Sequence, residues 1–513
     1  MKKHATLRAS AALIGSILAA SPSLMAQGAS FHKYVALGDS ITASFQGACL
    51  VQRHQAASFP EVIAGQLGIA DFEQPIFAEG ALSADLTKNK CLGFKVLGGS
   101  IGVGAVSDQI GPTNLGLPRA YDNLGIPGAT TSDLVHLTSA DPTGNTANKF
   151  AAAILRNVDT PLNPFHGTNA VQQALSLLPD LVTLWVGNND VLGAALEGVA
   201  LDGVTLTPVA SFEADFTAIV GALTSTGRTL VILNIPDVTA IPFATTIPPV
   251  VLNPATGEPV VGPSGPIPLL GPGNAAYPCP GGAPACPVPT GTLVTLQAQP
   301  LLQQGYGIPC AVAQLPKCDN PLPDGQFIPP ATLVPGVLLY PDEHDAIHAR
   351  TEELNAKIAS IGGGAGAVLV DIHGFFDRVS TEGLEIGGIT LNADFATGGL
   401  FSADGVHPNN IGHAILADEI IKAINAAQGS SISEPDLSGA LFTPDVPPAS
   451  AAAQGPEPDF SLLAGRQLLE LFQPGGVRLL DFDLAARPHR SRGGRTLLLG
   501  DRPGGPVEGD RKQ

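Results

Sequence analysis

Four short runs of this chain are apolar almost without a break: Tyr34 to Leu37, Leu181 to Val186, Thr229 to Leu233 and Ala367 to Val370. Tyr121 to Leu124 is a fainter fifth. A strand with one wet face alternates apolar and polar residues, whereas a strand covered on both faces reads as a continuous apolar run. Helical patterns lie between the runs. That alternation calls for parallel strands joined by crossover helices. The expected fold is α/β, a three-layer sandwich around an about five-stranded parallel sheet.

The helices carry their own signals. Ser58-Phe59-Pro60-Glu61 reads as a start, with Ser58 as N-cap and proline in the first turn. Thr168 to Leu178 is a second helix. Ser211 is placed to cap a third, whose apolar face carries Phe212, Phe216, Ile219 and Leu223. Ile347, Leu354, Ile358 and Ile361 mark a fourth, closed by Gly362-Gly363-Gly364 as a helix-to-strand turn. Asn410 to Ala427 is the last.

Two regions break this rhythm. Residues 241–339 are rich in proline and glycine, hold four cysteines, and read as an insertion between the last two strands. Residues 429–458 are rich in Ser, Pro and Ala and read as a linker. Phe460 to Phe472 fits one short helix, and the Arg- and Gly-rich end from Arg487 reads as disordered. The expected division is a leader over 1–26, a domain over 27–428, and a linker with a largely disordered tail over 429–513.

Charge excludes one class of partner. With 45 acidic against 26 basic residues the net charge is −19, so a polyanion such as nucleic acid is repelled. The N-terminus reads as a secretory signal: Lys2, Lys3 and Arg8, then apolar Ala11 to Ala20, then a cut after Ala26. No later run is long enough to span a membrane. Six cysteines in an exported chain point to disulfides. Their connectivity is open, and sequence proximity favours Cys49–Cys91, Cys279–Cys286 and Cys310–Cys318. Secreted or periplasmic localisation is expected, and the oligomeric state is open.

Four polar blocks punctuate the apolar runs. Gly38-Asp39-Ser40-Ile41-Thr42 follows the first strand, where open α/β sheets place ligands. Asn123-Leu124-Gly125-Ile126-Pro127-Gly128-Ala129-Thr130 offers a backbone that approaches a substrate oxygen without a Cβ in the way. Gly187-Asn188-Asn189-Asp190 follows the strand holding the only tryptophan. Asp404-Gly405-Val406-His407-Pro408 precedes the last helix. A serine hydroxyl needs a base within hydrogen-bond reach, and a carboxylate beside that base fixes its tautomer. The first and fourth blocks supply these groups.

In this order the blocks resemble those of GDSL-type esterases/lipases of the SGNH hydrolase superfamily, over roughly residues 31–428. Ile41 stands where that family usually has leucine. The resemblance implies a flavodoxin-like sheet. It makes Ser40 the nucleophile, Asp404 the acid and His407 the base. It gives the oxyanion hole to the N–H groups of Ser40 and Gly128 and to the side-chain amide of Asn189. No cofactor is implied. The activity implied is carboxylic-ester hydrolysis through an acyl-serine, on a small-molecule or lipid ester. Two alternatives stay open, a carbohydrate acetylesterase and an exported binding protein on a dead hydrolase scaffold.

Competing motifs are bland. No G-x-S-x-G elbow pairs with a separate later Asp and His. His344 and His348 lack the H-E-x-x-H order, and no cysteines have zinc spacing, so no metal site is expected. In the insertion, Ile247 to Leu252 and Ile267 to Leu270 are apolar stretches that could cover an acyl groove or form a plain surface excursion.

Overall fold

Each apolar run feeds two cores at once. In β1 (Tyr34–Gly38), Val35 and Leu37 pack into the core on one face, and Tyr34 and Ala36 into the core on the other. β3 (Leu181–Trp185) and β4 (Thr229–Leu233) divide their side chains the same way. Thr183, a polar residue in the middle of β3, is matched by Tyr34, whose Oη lies 2.8 Å from Thr183 Oγ1. With β2 (Asn123–Gly125) and β5 (Val368–Val370) the sheet has five parallel strands in the order β5-β4-β3-β1-β2. This is the flavodoxin-like order, in which the direction of winding reverses beside β1.

The computed structural model describes residues 29–84, 88–97, 100–140, 146–156, 164–225, 227–329, 332–441 and 478–479. The expected leader 1–26, the expected helix over Phe460 to Phe472, the end from Arg487 and most of the expected linker lie outside them.

Helices cover both faces. α1 (Ser40–Ala43) follows β1 directly. α2 (Phe59–Leu67) is capped by Ser58, which accepts the Glu61 N–H, and α3 (Thr131–His136) follows β2. α4 (Ala170–Ser176) and α5 (Asn189–Glu197) flank β3. α6 (Val209–Thr224) buries Phe212, Phe216, Ile219 and Leu223, as its periodicity predicts. α7 (Pro341–Gly364) packs beside α6, and α8 (Asn410–Gln428) lies against α2 on the opposite face.

Four local expectations change. β2 is Asn123–Gly125 rather than Tyr121 to Leu124, because Tyr121 is held outside the ladder by donating to Asn114 O at 3.1 Å. Pro208, not Ser211, occupies the cap of α6, and Ser211 already donates its N–H to Pro208 O. Gly362-Gly363-Gly364 is the last turn of α7. A Cβ on Gly362 would stand 2.8 Å from Leu369 Cδ2, so glycine there lets helix and strand approach. The apolar stretches of the insertion fill a core of its own, where Val251 and Leu269 are buried with Val288, Val294 and Leu301. Val251 and Leu269 are therefore not free to line a groove, whereas Leu252 is exposed.

One element escaped the sequence. Phe77–Ala81, Lys90–Leu97 and Ser100–Pro112 form a three-stranded antiparallel sheet, with Ser100–Pro112 in the middle. Glycine interrupts these strands repeatedly, which lowers their β signal. Lys90 and Asp108 form a buried ion pair at 2.6 Å within it.

All six cysteines lie at bonding distance in the pairs favoured by proximity. Iodoacetamide should therefore label no thiol in the unfolded, unreduced protein and six after reduction; labelling before reduction would contradict the pairing. Phe216→Ala empties a fully buried site stacked on Phe212 and should cost ~3–5 kcal/mol in urea unfolding.

Candidate active site

The turn out of β1 is very tight. A Cβ on Gly38 would lie 2.1 Å from Thr42 Oγ1 and 2.4 Å from Trp185 O, so no larger residue fits. Asp39 caps α1, its Oδ1 accepting the Ile41 N–H at 3.0 Å. Ser40 thus opens a helix, and its own N–H belongs to the first-turn donors that have no intrahelical carbonyl. The second Asp39 oxygen accepts from Asn188 Nδ2 at 2.8 Å. Burial pushes the Asp39 carboxyl up to about 6, against the pull of these donors.

The fourth block comes to the same place from the far end of the chain. His407 Nε2 lies 2.9 Å from Ser40 Oγ, and His407 Nδ1 lies 3.0 Å from Asp404 Oδ2. An ionised carboxylate only accepts, so Nδ1 carries the proton and Nε2 is left to accept from the serine. Asp404 Oδ1 accepts the N–H groups of Val406 and His407, both at 2.9 Å. Oδ2 also accepts the Ala48 N–H at 3.0 Å. Burial alone would raise this carboxyl. The His407 ring and the backbone donors outweigh it and hold it at about 2. The Phe45 ring stands edge-on to the imidazole, 5.1 Å between centroids.

Asn189 is tied to the residue that follows Gly128. Gly128 takes φ +80°, which favours glycine, and Asn189 Nδ2 donates to Ala129 O at 2.8 Å. That bond uses one of the two amide hydrogens. The neighbouring Asp190 ties α3 to α5, its Oδ2 accepting the Thr131 N–H at 2.9 Å and lying 3.0 Å from Thr131 Oγ1. Burial pushes Asp190 up to about 7, although hydrogen bonds from Thr131 and Thr207 oppose it. The second block also touches the first, through Ile126 N–H donating to Gly38 O at 3.0 Å.

All five residues singled out in the sequence therefore sit beyond the carboxyl ends of β1, β2 and β3 or in the loop before α8. Ser40, His407 and Asp404 are in direct contact. The supporting groups were not legible. Asn188 and Asp190 sit in a polar run of which only Asn189 was singled out, and Ala48 acts through its backbone N–H, which no residue type announces. His344 and His348 pair separately with Asp345 and Asp237. Among the described residues, no group of three or more His, Cys, Asp or Glu is arranged to hold a metal.

The raised carboxyl of Asp190 sets a pH dependence. The folded protein keeps this proton from the ordinary 3.8 up to about 7, so its contribution to stability declines as pH rises through that window. Asp190→Asn should flatten that part of the decline in urea unfolding measured against pH; an unchanged slope would contradict the assignment.

A model of the GDSL-like lipase/acylhydrolase family matches residues 34–279. That span holds Ser40, Gly128 and Asn189, and Asp404 and His407 lie beyond it. Among solved structures, LAE5, an alpha/beta hydrolase enzyme from the metagenome of Lake Arreo, Spain, is 13% identical, with a TM-score of 0.32. The match covers 77% of this chain and 96% of that one. The lipase/acylhydrolase from Enterococcus faecalis is 14% identical with a TM-score of 0.29, over the same shares of the two chains. Both likenesses are too distant to carry an argument. No curated protein matches the chain in sequence. Residues 34–279 of the chain thus match the GDSL-like lipase/acylhydrolase family, which supports an ester hydrolase in general.

Proposed function

We propose that the protein is an exported serine hydrolase that cleaves carboxylic esters, of small molecules or lipids, through an acyl-serine. The observation that carries this reading is the unbroken chain Ser40 Oγ, His407, Asp404, with contacts of 2.9 and 3.0 Å. His407 Nε2 takes the Ser40 proton as the oxygen attacks the ester carbonyl. Asp404 stabilises the imidazolium without taking the proton itself, which agrees with a carboxyl held at about 2. The tetrahedral oxygen is met by the N–H groups of Ser40 and Gly128 and by the free amide hydrogen of Asn189. His407 then protonates the leaving alcohol, and a water repeats the sequence on the acyl-enzyme.

Each part has a physical reason. Placing the nucleophile on the first turn of a helix leaves its N–H available to the oxygen it attacks. An amide at Asn189 donates without adding charge. The residues of the hydrogen-bonded chain are nearly closed to water, Ser40 at 3% and His407 at 1% exposure, so the contacts act at low dielectric. Export is supported by the basic and apolar N-terminal pattern and by three paired cysteines. In this reading residues 27–428 form the hydrolase domain, with 241–339 as its insertion.

Ser40→Ala should abolish hydrolysis of p-nitrophenyl butyrate and labelling by a fluorophosphonate, with an unchanged circular dichroism spectrum; retained turnover would reject the nucleophile. Asn189→Ala should lower kcat by ~10²–10³. An ester panel of increasing acyl length tests the substrate class. Release of acetate from acetylated xylan, with no turnover of longer esters, would transfer the assignment to carbohydrate acetylesterase.

A further inference from the structure

The segment between Ser40 and the first cysteine runs directly across the acid–base pair. Phe45 donates its N–H to Ser40 O at 2.9 Å and sets its ring against His407. Gln46 and Cys49 close a turn on each other, N–H to carbonyl in both directions at 3.0 and 3.2 Å. The middle of that turn takes left-handed backbone, φ +56° at Gly47 and +61° at Ala48. It aims two consecutive N–H groups at the fourth block, Gly47 at Ser402 Oγ at 3.1 Å and Ala48 at Asp404 Oδ2 at 3.0 Å.

Left-handed backbone at alanine is unfavourable and needs outside support. The support comes from the antiparallel sheet. Leu92 donates its N–H to Gly47 O at 2.7 Å, and Gln109 Oε1 accepts the Leu50 N–H at 2.9 Å. The covalent tie is Cys49–Cys91, both fully buried.

We infer that the Cys49–Cys91 disulfide is a positioning element for the acid–base pair: it pins the Gln46–Cys49 turn to the strand Lys90–Leu97, so that the Ala48 N–H stays on Asp404. Neither cysteine touches the reacting atoms. The bond acts through Asp404, and so sets the orientation of His407 rather than substrate affinity. This inference rests on the acid and base roles proposed above.

The test pairs two perturbations with one background. Cys49→Ala/Cys91→Ala removes the tie. Gly47→Ala leaves the tie intact, yet its Cβ would stand 2.3 Å from Leu92 O and so lifts the turn from the strand. Each should lower kcat for p-nitrophenyl butyrate by ~10–100-fold, the scale of a misplaced catalytic group, and change KM by less than about twofold. In an Asp404→Asn background either change should lower kcat less than about twofold further, because the group through which it acts is gone. Cys310→Ala/Cys318→Ala, in the insertion, should leave kcat unchanged. Folding is followed by circular dichroism, and Gly47→Ala carries the test if the cysteine variant does not fold. An unchanged kcat in a folded variant overturns the inference, and so does an equal loss in the Asp404→Asn background. Wild-type kcat in Asp404→Asn alone would instead remove the acid assignment beneath it.

Discussion

The site depends on one buried anion. Taking a carboxylate out of water costs several kcal/mol unless charge and hydrogen bonds replace the lost hydration. Asp404 has four such replacements: two N–H groups of its own loop, one from Ala48, and the imidazole of His407. Meeting those four donors fixes much else. The loop must curl through a positive φ at Gly405, and the chain after Ser40 must fold back to deliver Ala48. The ring that results has one nitrogen committed to Asp404 and the other turned to the serine. Asp39 and Asp190 make the contrast plain. They are equally buried, yet neither is hydrogen-bonded to an imidazole as Asp404 is, and both are pushed up rather than down.

The insertion has a role that its composition concealed. A Cβ on Gly405 would come within 2.7 Å of Leu296 Cδ1 and 3.2 Å of Phe243 N, and the Phe243 N–H donates to Gly405 O at 2.8 Å. Residues 241–339 therefore brace the back of the loop that carries Asp404 and His407. Val251 and Leu269 face inward because a region with few regular elements still needs a core, and two disulfides help close it.

The sheet was legible because burial on both faces leaves a mark in sequence: Val35, Leu37, Tyr34 and Ala36 must all be apolar whichever way they point. The Ser40, Asn189 and His407 blocks stood out in the sequence because the proposed chemistry needs particular side chains at strand ends. What stayed hidden acts by other means. Ala48 contributes an N–H common to almost every residue, and Pro208 takes the cap that Ser211 seemed made for. The strands from Phe77 to Pro112 carry too many glycines to announce themselves. Side-chain chemistry is written in the sequence, whereas backbone geometry is written only in the fold.

The central sheet has a consequence for the order of events in the cell. Ser40 and His407 touch across 367 residues of chain, and every strand of the central sheet except β1 lies between them. Contacts so distant in sequence form late, since the loops they close must be ordered first. A chain still emerging from the ribosome can therefore carry a finished serine turn and remain inert. On the proposed mechanism, competence arrives only with the loop that carries Asp404 and His407, which makes turnover a readout of near-complete folding.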